Sequence, residues 1–189
     1  WPAFLMWAGL PLPKRVFGHG FLNIEGEKMS KSLGNVLAPA KLIGEFGLDQ
    51  IRYFLMREVP YGNDGSFSRE AMINRINSDL ANDLGNLCQR ILSFIAKNAG
   101  GTVPQHGDFT AEDTALLEQA GGVIEQARTA FDQQQFHTGL AAIWDVVSAA
   151  NKYVDAQAPW ALRKTDPDRM ATVLYVLVET IRRVGILVQ

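Results

Sequence analysis

The chain has 189 residues, 47% of them apolar and 20% charged, with a formal net charge of −2. That is material for one medium domain or two small ones. It excludes a general cationic coat, so any contact with nucleic acid must be local. A single cysteine, Cys88, excludes an internal disulfide and a cysteine-based zinc cage and suits a reducing cytosol. His19, His106 and His137 lie far apart and show no ligand spacing, so no metal site is expected.

Residues 1–12 read as a short buried helix followed by a turn. The opening run "WPAFLMWAGLPLP" is shorter than the ~18 residues of a membrane span and is broken by proline. It also lacks the cationic start and cleavage site of a signal peptide, so no membrane partner is expected. "RVFGHGFLNI" reads as a strand carrying Val16, Phe17, Phe21 and Ile24. A segment bracketed by Gly26 and Gly34 follows, "IEGEKMSKSLGNV", residues 24–36. "PAKLIGEFGLDQIRYFLMRE" has apolar residues at helical spacing and predicts one or two helices. "PYGNDGSF" is a turn-rich connector. The spacing therefore divides the chain into 1–60, a connector at 61–67, and 68–189.

Past Ser68, a fitting N-cap, everything reads helical. One long helix is expected to run to "NAGG", and Thr110 with Asp113 resembles a capping box at the next start. Further helices run to about Phe131 and from about Phe136 to Asp155. "QAPWALRKTDP" is a proline-punctuated joint, after which Asp166 and Pro167 suit the N-cap and first position of a last helix. The second part is expected to be an antiparallel helix bundle. Charge is uneven: residues 1–57 carry +3 and residues 58–189 carry −5. The chain starts at Trp1 and ends within "RRVGILVQ", and reads as an excerpt of a longer protein.

The segment 24–36 holds two lysines, Lys28 and Lys31, beside Ser30 and Ser32. Lysine is a compact charge on a flexible stem. Two of them on a mobile loop suit a polyanion whose charge moves during reaction, such as a triphosphate losing pyrophosphate. Gly26 and Gly34 would act as hinges, and only Met29 and Leu33 would anchor the loop, so it is expected to be mobile without its ligand. A plain solvated loop, or a kinase-substrate loop with Ser30 or Ser32 as acceptor, are the other readings of these residues.

"KMSKSLGN" after a strand resembles the signature loop of class I aminoacyl-tRNA synthetases. "GNDGSFSREAMINRINSDLANDLGNLCQR" and "NKYVDAQAPW" narrow the resemblance to the methionyl-tRNA synthetase family, and it runs through nearly all of the chain. It implies a mainly α fragment: the end of a class I Rossmann-type catalytic domain, then a helical anticodon-binding domain. It further implies that Lys28 and Lys31, with Ser30 and Ser32, bind ATP, and that the strand around His19 to Leu22 borders the adenine. ATP with Mg2+, methionine and tRNA(Met) are the implied ligands. A cytoplasmic location is implied and no oligomeric state. A synthetase of the isoleucine, leucine or valine type and a non-catalytic tRNA-binding module are the alternatives.

The residues of the long helix carry a reading of their own. Leu80, Leu84, Leu87, Cys88, Ile91, Leu92 and Ile95 share one face of a regular helix. Asn82, Asn86 and Arg90 follow at i, i+4 and i+8 on the other. Such a stripe either reads base edges or is simply solvated. In the resembled family this spacing carries the anticodon-reading helix, which assigns that role to Asn86 and Arg90, with Asn82 continuing the stripe. Trp160, after Pro159 at a joint, is either a stacking platform for an unpaired base or a core plug. The resemblance assigns Pro159 and Trp160 to the first anticodon base. Trp144 and Tyr153 are expected in the core, and Arg90, Arg163, Lys164 and Arg169 are expected to form a local cationic patch.

Overall fold

The computed structural model describes every residue except Leu33, so the expected anchoring role of that side chain lies outside the described residues. The elements run α1 (Pro2–Trp7), β1 (Leu22–Ile24), β2 (Glu27–Lys28), α2 (Pro39–Phe46), α3 (Leu48–Glu58), β3 (Gly65–Phe67) and α4 (Arg69–Arg75). A π-helical segment (Ile76–Gly85) then leads into α5 (Asn86–Asn98), α6 (Ala111–Asp132), α7 (Phe136–Gln157), α8 (Pro159–Thr165) and α9 (Pro167–Leu187). Among the described residues no helix is long and apolar enough to cross a membrane.

The first part differs from its sequence reading in three places. The helix α1 is exposed rather than buried, with Phe4 79% and Trp7 90% accessible, because nothing described packs over it. The strand expected from Arg15 to Ile24 shrinks to Leu22–Ile24. Gly18 and Gly20 interrupt it, and at Gly20 a side chain would collide with the Asn63 carbonyl. Residues 65–67, expected within a connector, form a third strand. β1 pairs antiparallel with β2 (Asn23 opposite Lys28) and parallel with β3 (Asn23 opposite Ser66), giving the order β2-β1-β3. Phe67 of β3 joins Leu42, Ile51, Phe54 and Met72 in a small core beneath α2 and α3.

The second part is the helix bundle. Ser68 caps α4, its hydroxyl accepting the Ala71 N–H at 3.0 Å. The larger core takes Leu87, Ile91 and Ile95 from α5 and the inner faces of α6, α7 and α9. Trp144 and Tyr153 are buried there, as expected. Leu92 is not: at 49% exposed it lies off the apolar face assigned to it.

One buried carboxylate ties three helices. Asp113 closes the capping box of α6, accepting the Thr110 N–H at 3.0 Å. It also accepts from the Tyr153 hydroxyl of α7 at 2.6 Å and from Arg169 Nη2 of α9 at 2.8 Å. The same Arg169 nitrogen reaches Gln157 Oε1, at the end of α7, at 2.7 Å. Burial opposes the charged carboxylate, but Arg169, Tyr153 and the Thr110 amide outweigh it and hold its pKa down to about 2. Arg169 is therefore a structural cation rather than part of an RNA-facing patch. Asp166 caps α9 through the Arg169 N–H, with Pro167 in its first turn.

Removing Asp113 strands a largely buried guanidinium, so Asp113→Ala should cost about 3 kcal/mol or more, or roughly 6–12 °C in Tm for a chain of this size. Because the folded pKa is lowered, the carboxylate stabilises fully above its ordinary value near 3.9 and loses that contribution as pH falls from about 4 to 2. Thermal melts across that range check both. A mutant within about 2 °C of the parent would contradict the assignment.

Candidate phosphate-binding loop and nucleic-acid interface

The lysine segment begins in a hairpin and carries internal hydrogen bonds. Glu25 (φ +50°) and Gly26 (φ +86°) form the two-residue turn between β1 and β2. Two positive φ values in a row suit the tight turn that matches strand twist. Gly26, the expected hinge, thus lies in the hairpin turn. Lys28 stands on β2, with its Nζ 4.4 Å from the centre of the Phe21 ring. The loop proper follows and is stapled by Asn35. Its side-chain oxygen accepts the Ser30 N–H at 2.7 Å, and its Nδ2 donates to the Lys28 carbonyl at 3.2 Å. The Ser30 and Ser32 hydroxyls are 2.8 Å apart, and Lys31 is exposed beside them. The loop therefore presents both lysines to solvent from a defined scaffold, a fitting cradle for phosphate oxygens. Leu22 lines a cleft of about 250 Å³ with His19, Gly20, Leu55, Val59 and Tyr61.

The second candidate surface lies on the bundle. Asn82 and Asn86 are exposed, and Arg90 is half-buried. At the end of α7, Ala158 takes a left-handed conformation, φ +43° and ψ +63°, that a residue with a Cβ seldom adopts. That bend turns the chain into α8. Pro159 is buried against the bundle, and Trp160 projects, 45% exposed, beside α5. The Arg90 guanidinium lies over the Trp160 ring at 5.2 Å, and its Nη2 donates to Asp155 Oδ1 at 2.7 Å. Arg163 of α8 bonds to Asn98 of α5, closing the contact at its far end.

Of the sequence candidates, then, Arg90 and Trp160 touch, and Pro159 acts from below as a buried foot. Asn86 lies one turn earlier on the same helix. Asn82 is not on that helix's regular register: it belongs to the π-helical segment, where the Asn86 N–H bonds back five residues to the Ala81 carbonyl. Sequence reasoning missed Asp155 and Ala158. Asp155 has the signal of a carboxylate five residues before Trp160, but nothing in the sequence pairs it with Arg90, 65 positions away. Ala158 has no signal at all, because alanine favours continuing a helix.

Comparison with known proteins finds matches over nearly the whole chain. Residues 1–92 match the model described as tRNA synthetases class I (M), and residues 103–189 match the anticodon binding domain of methionyl tRNA ligase. The methionine–tRNA ligase of Brucella suis biovar 1 is 65% identical over the whole chain, which covers 37% of that relative. That of Rhizobium meliloti is 60% identical, again with 37% covered. The Mycobacterium tuberculosis methionyl-tRNA synthetase solved in complex with methionyl-adenylate superposes on all of the chain with a TM-score of 0.93 at 53% identity. The chain covers 38% of that structure. The chain thus spans a little over a third of the length of the relatives it matches.

The exposures separate the two tryptophans. Trp144 is 8% exposed and Trp160 45%. Trp144→Ala should cost the roughly 3–5 kcal/mol of a core aromatic, while Trp160→Ala should cost about 1 kcal/mol. Denaturant unfolding of both mutants checks this, and equal losses would make Trp160 a core plug.

Proposed function

The chain belongs to the methionyl-tRNA synthetase family, and on that premise we propose that it supplies the phosphate-clamping loop and the anticodon-reading surface of a methionine–tRNA ligase. The observation that carries the reading is Arg90 packed on the exposed ring of Trp160 at the joint between α7 and α8. A rigid aromatic face beside a guanidinium is what an unstacked base needs: a π surface to stack on and donors for its edge.

In the first half-reaction the methionine carboxylate attacks the α-phosphorus of ATP, which enters as its magnesium complex. The bond to the bridging oxygen breaks, and pyrophosphate leaves with the electron pair. Lys28 and Lys31 bind the β- and γ-phosphates and meet the charge that grows on the leaving oxygens. Ser30 and Ser32 add donors, and Leu22 borders the adenine. In the second half-reaction a hydroxyl of the terminal tRNA adenosine attacks the methionyl carbonyl and AMP leaves. Methionine and the rest of ATP bind in the portion of the relatives that this chain does not cover. These 189 residues alone are not proposed to aminoacylate. The proposed location is the cytoplasm, where the tRNA is.

Asn86, Arg90 and Trp160 read the anticodon of tRNA(Met), with Asn82 at the edge of the surface and Pro159 setting the ring. Arg163 and Lys164, on the exposed turn of α8, supply local positive charge in a bundle that is otherwise acidic. Specificity from stacking and base-edge bonds does not need a strong general field.

In the full-length enzyme, Lys31→Ala should slow methionine-dependent ATP–pyrophosphate exchange about 100-fold or more, the scale of one donor lost from a developing charge, with methionine binding barely changed. An effect under threefold would contradict the clamp. Trp160→Ala should lower kcat/KM for tRNA charging at least about tenfold and leave the exchange near normal. Exchange falling in step with charging would contradict the division of labour.

A further inference from the structure

The face that carries Asn82, Asn86 and Arg90 begins in the π-helical segment, and that segment is held from two sides. From the catalytic end, the Tyr53 hydroxyl of α3 donates to Asp79 Oδ2 at 2.6 Å. Arg75 Nη1 reaches the same oxygen at 3.1 Å, and its Nη2 reaches Glu58 Oε2, also on α3, at 2.7 Å. From the bundle, the Trp144 indole N–H donates to the Asp79 carbonyl at 3.3 Å, and Asn151 Nδ2 donates to the Asp83 carbonyl at 3.1 Å. The Tyr53 ring lies 4.6 Å from the Trp144 ring, so the two clamps meet at Asp79.

The joint combines packing with polar ties. A cleft of about 520 Å³ opens beside it, lined by Arg52, Tyr53, Met56, Leu80, Leu84 and Trp144. The Tyr53–Asp79 bond ties α3 directly to the segment. The wide turn itself is demanding. A Cβ at Gly85 would lie 2.9 Å from the Leu80 carbonyl, closer than a relaxed contact allows, so the last residue of the segment is held to glycine. A wide turn has one residue more between hydrogen-bonded partners than an α-helical turn. Reverting it would therefore rotate everything before it relative to everything after.

We propose that Tyr53 is a positioning residue for anticodon recognition: through Asp79 it pins the wide turn that sets the angle of the Asn86–Arg90 face to the catalytic end. The inference rests on the anticodon reading of that face. Tyr53 touches neither surface. Its burial, and its bond to Asp79, push its pKa up, so it is a proton donor throughout the neutral range. The carboxylate is held in one orientation by two donors from different elements, Tyr53 from α3 and Arg75 from α4. Gly85 serves the same end from within the turn.

The test is a double-mutant cycle in the full-length enzyme. Tyr53→Phe keeps the ring on Trp144 and removes only the donor. It should raise the KM for tRNA about fivefold or more, leave ATP–pyrophosphate exchange within twofold, and shift Tm little. Placed in an Arg90→Ala background, where the face no longer reads, Tyr53→Phe should add less than twofold, because its effect passes through Arg90. Gly85→Ala should show the same dependence on Arg90. Full additivity of Tyr53→Phe with Arg90→Ala, or exchange falling in step with charging, overturns the positioning role while leaving the anticodon reading intact. Unchanged charging by Arg90→Ala alone overturns the anticodon reading, and this inference with it.

Discussion

The bundle depends on a single buried carboxylate. Asp113 lies in the first turn of α6, accepts from the Tyr153 hydroxyl of α7, and pairs with Arg169 near the start of α9. Arg169 in turn holds Gln157, the last residue of α7. The end of α7 is thereby tied to the start of α9. One residue later Ala158 takes its left-handed turn, and the strain of that conformation is sustained because the chain on both sides is fixed. Pro159 is driven into the bundle and Trp160 out of it. The exposed ring is thus a consequence of burial elsewhere, and Arg90 then settles on it.

The same division between a fixed base and an offered group recurs at the lysine loop. A two-residue turn at Glu25 and Gly26 and the pairing of β1 with β2 fix Lys28, while Asn35 bridges from Lys28 to Ser30 across the loop. Neither surface is strongly cationic as a whole. Each places two or three donors on a defined scaffold, and beside Arg90 the Asp155 carboxylate accepts from one of them. Residues 58–189, which include the bundle, carry −5, so defined donors replace a diffuse field.

Much of this was legible in the sequence where local rules act alone. Ser68, Thr110 with Asp113, and Asp166 with Pro167 all cap the helices they were expected to cap, because capping depends on a few adjacent residues. The helices expected to end near Phe131 and to begin near Phe136 are found there. The failures occur where a distant partner decides. The strand from Arg15 was cut short by the approach of Asn63 to Gly20. Residues 65–67 became a strand because β1 offered an edge. A regular wheel predicts that Asn82, Asn86 and Arg90 share one straight stripe. The π-helical segment breaks it, and the clamps on Asp79 and Asp83 come from residues up to 68 positions away. Tyr153 was placed in the core correctly, but its role as a donor to Asp113 needed the fold.

The central claim is that the surface around Arg90 and Trp160 reads the anticodon by stacking and edge contacts. It is tested most directly by calorimetric titration of the full-length protein with two RNA hairpins. One carries the methionine anticodon in its loop, and the other differs only in the first anticodon base. The account predicts that the substituted hairpin binds at least about tenfold more weakly at fixed salt, and that this ratio collapses toward one when Trp160 is replaced by alanine. Equal affinity of the unmodified protein for the two hairpins would contradict it.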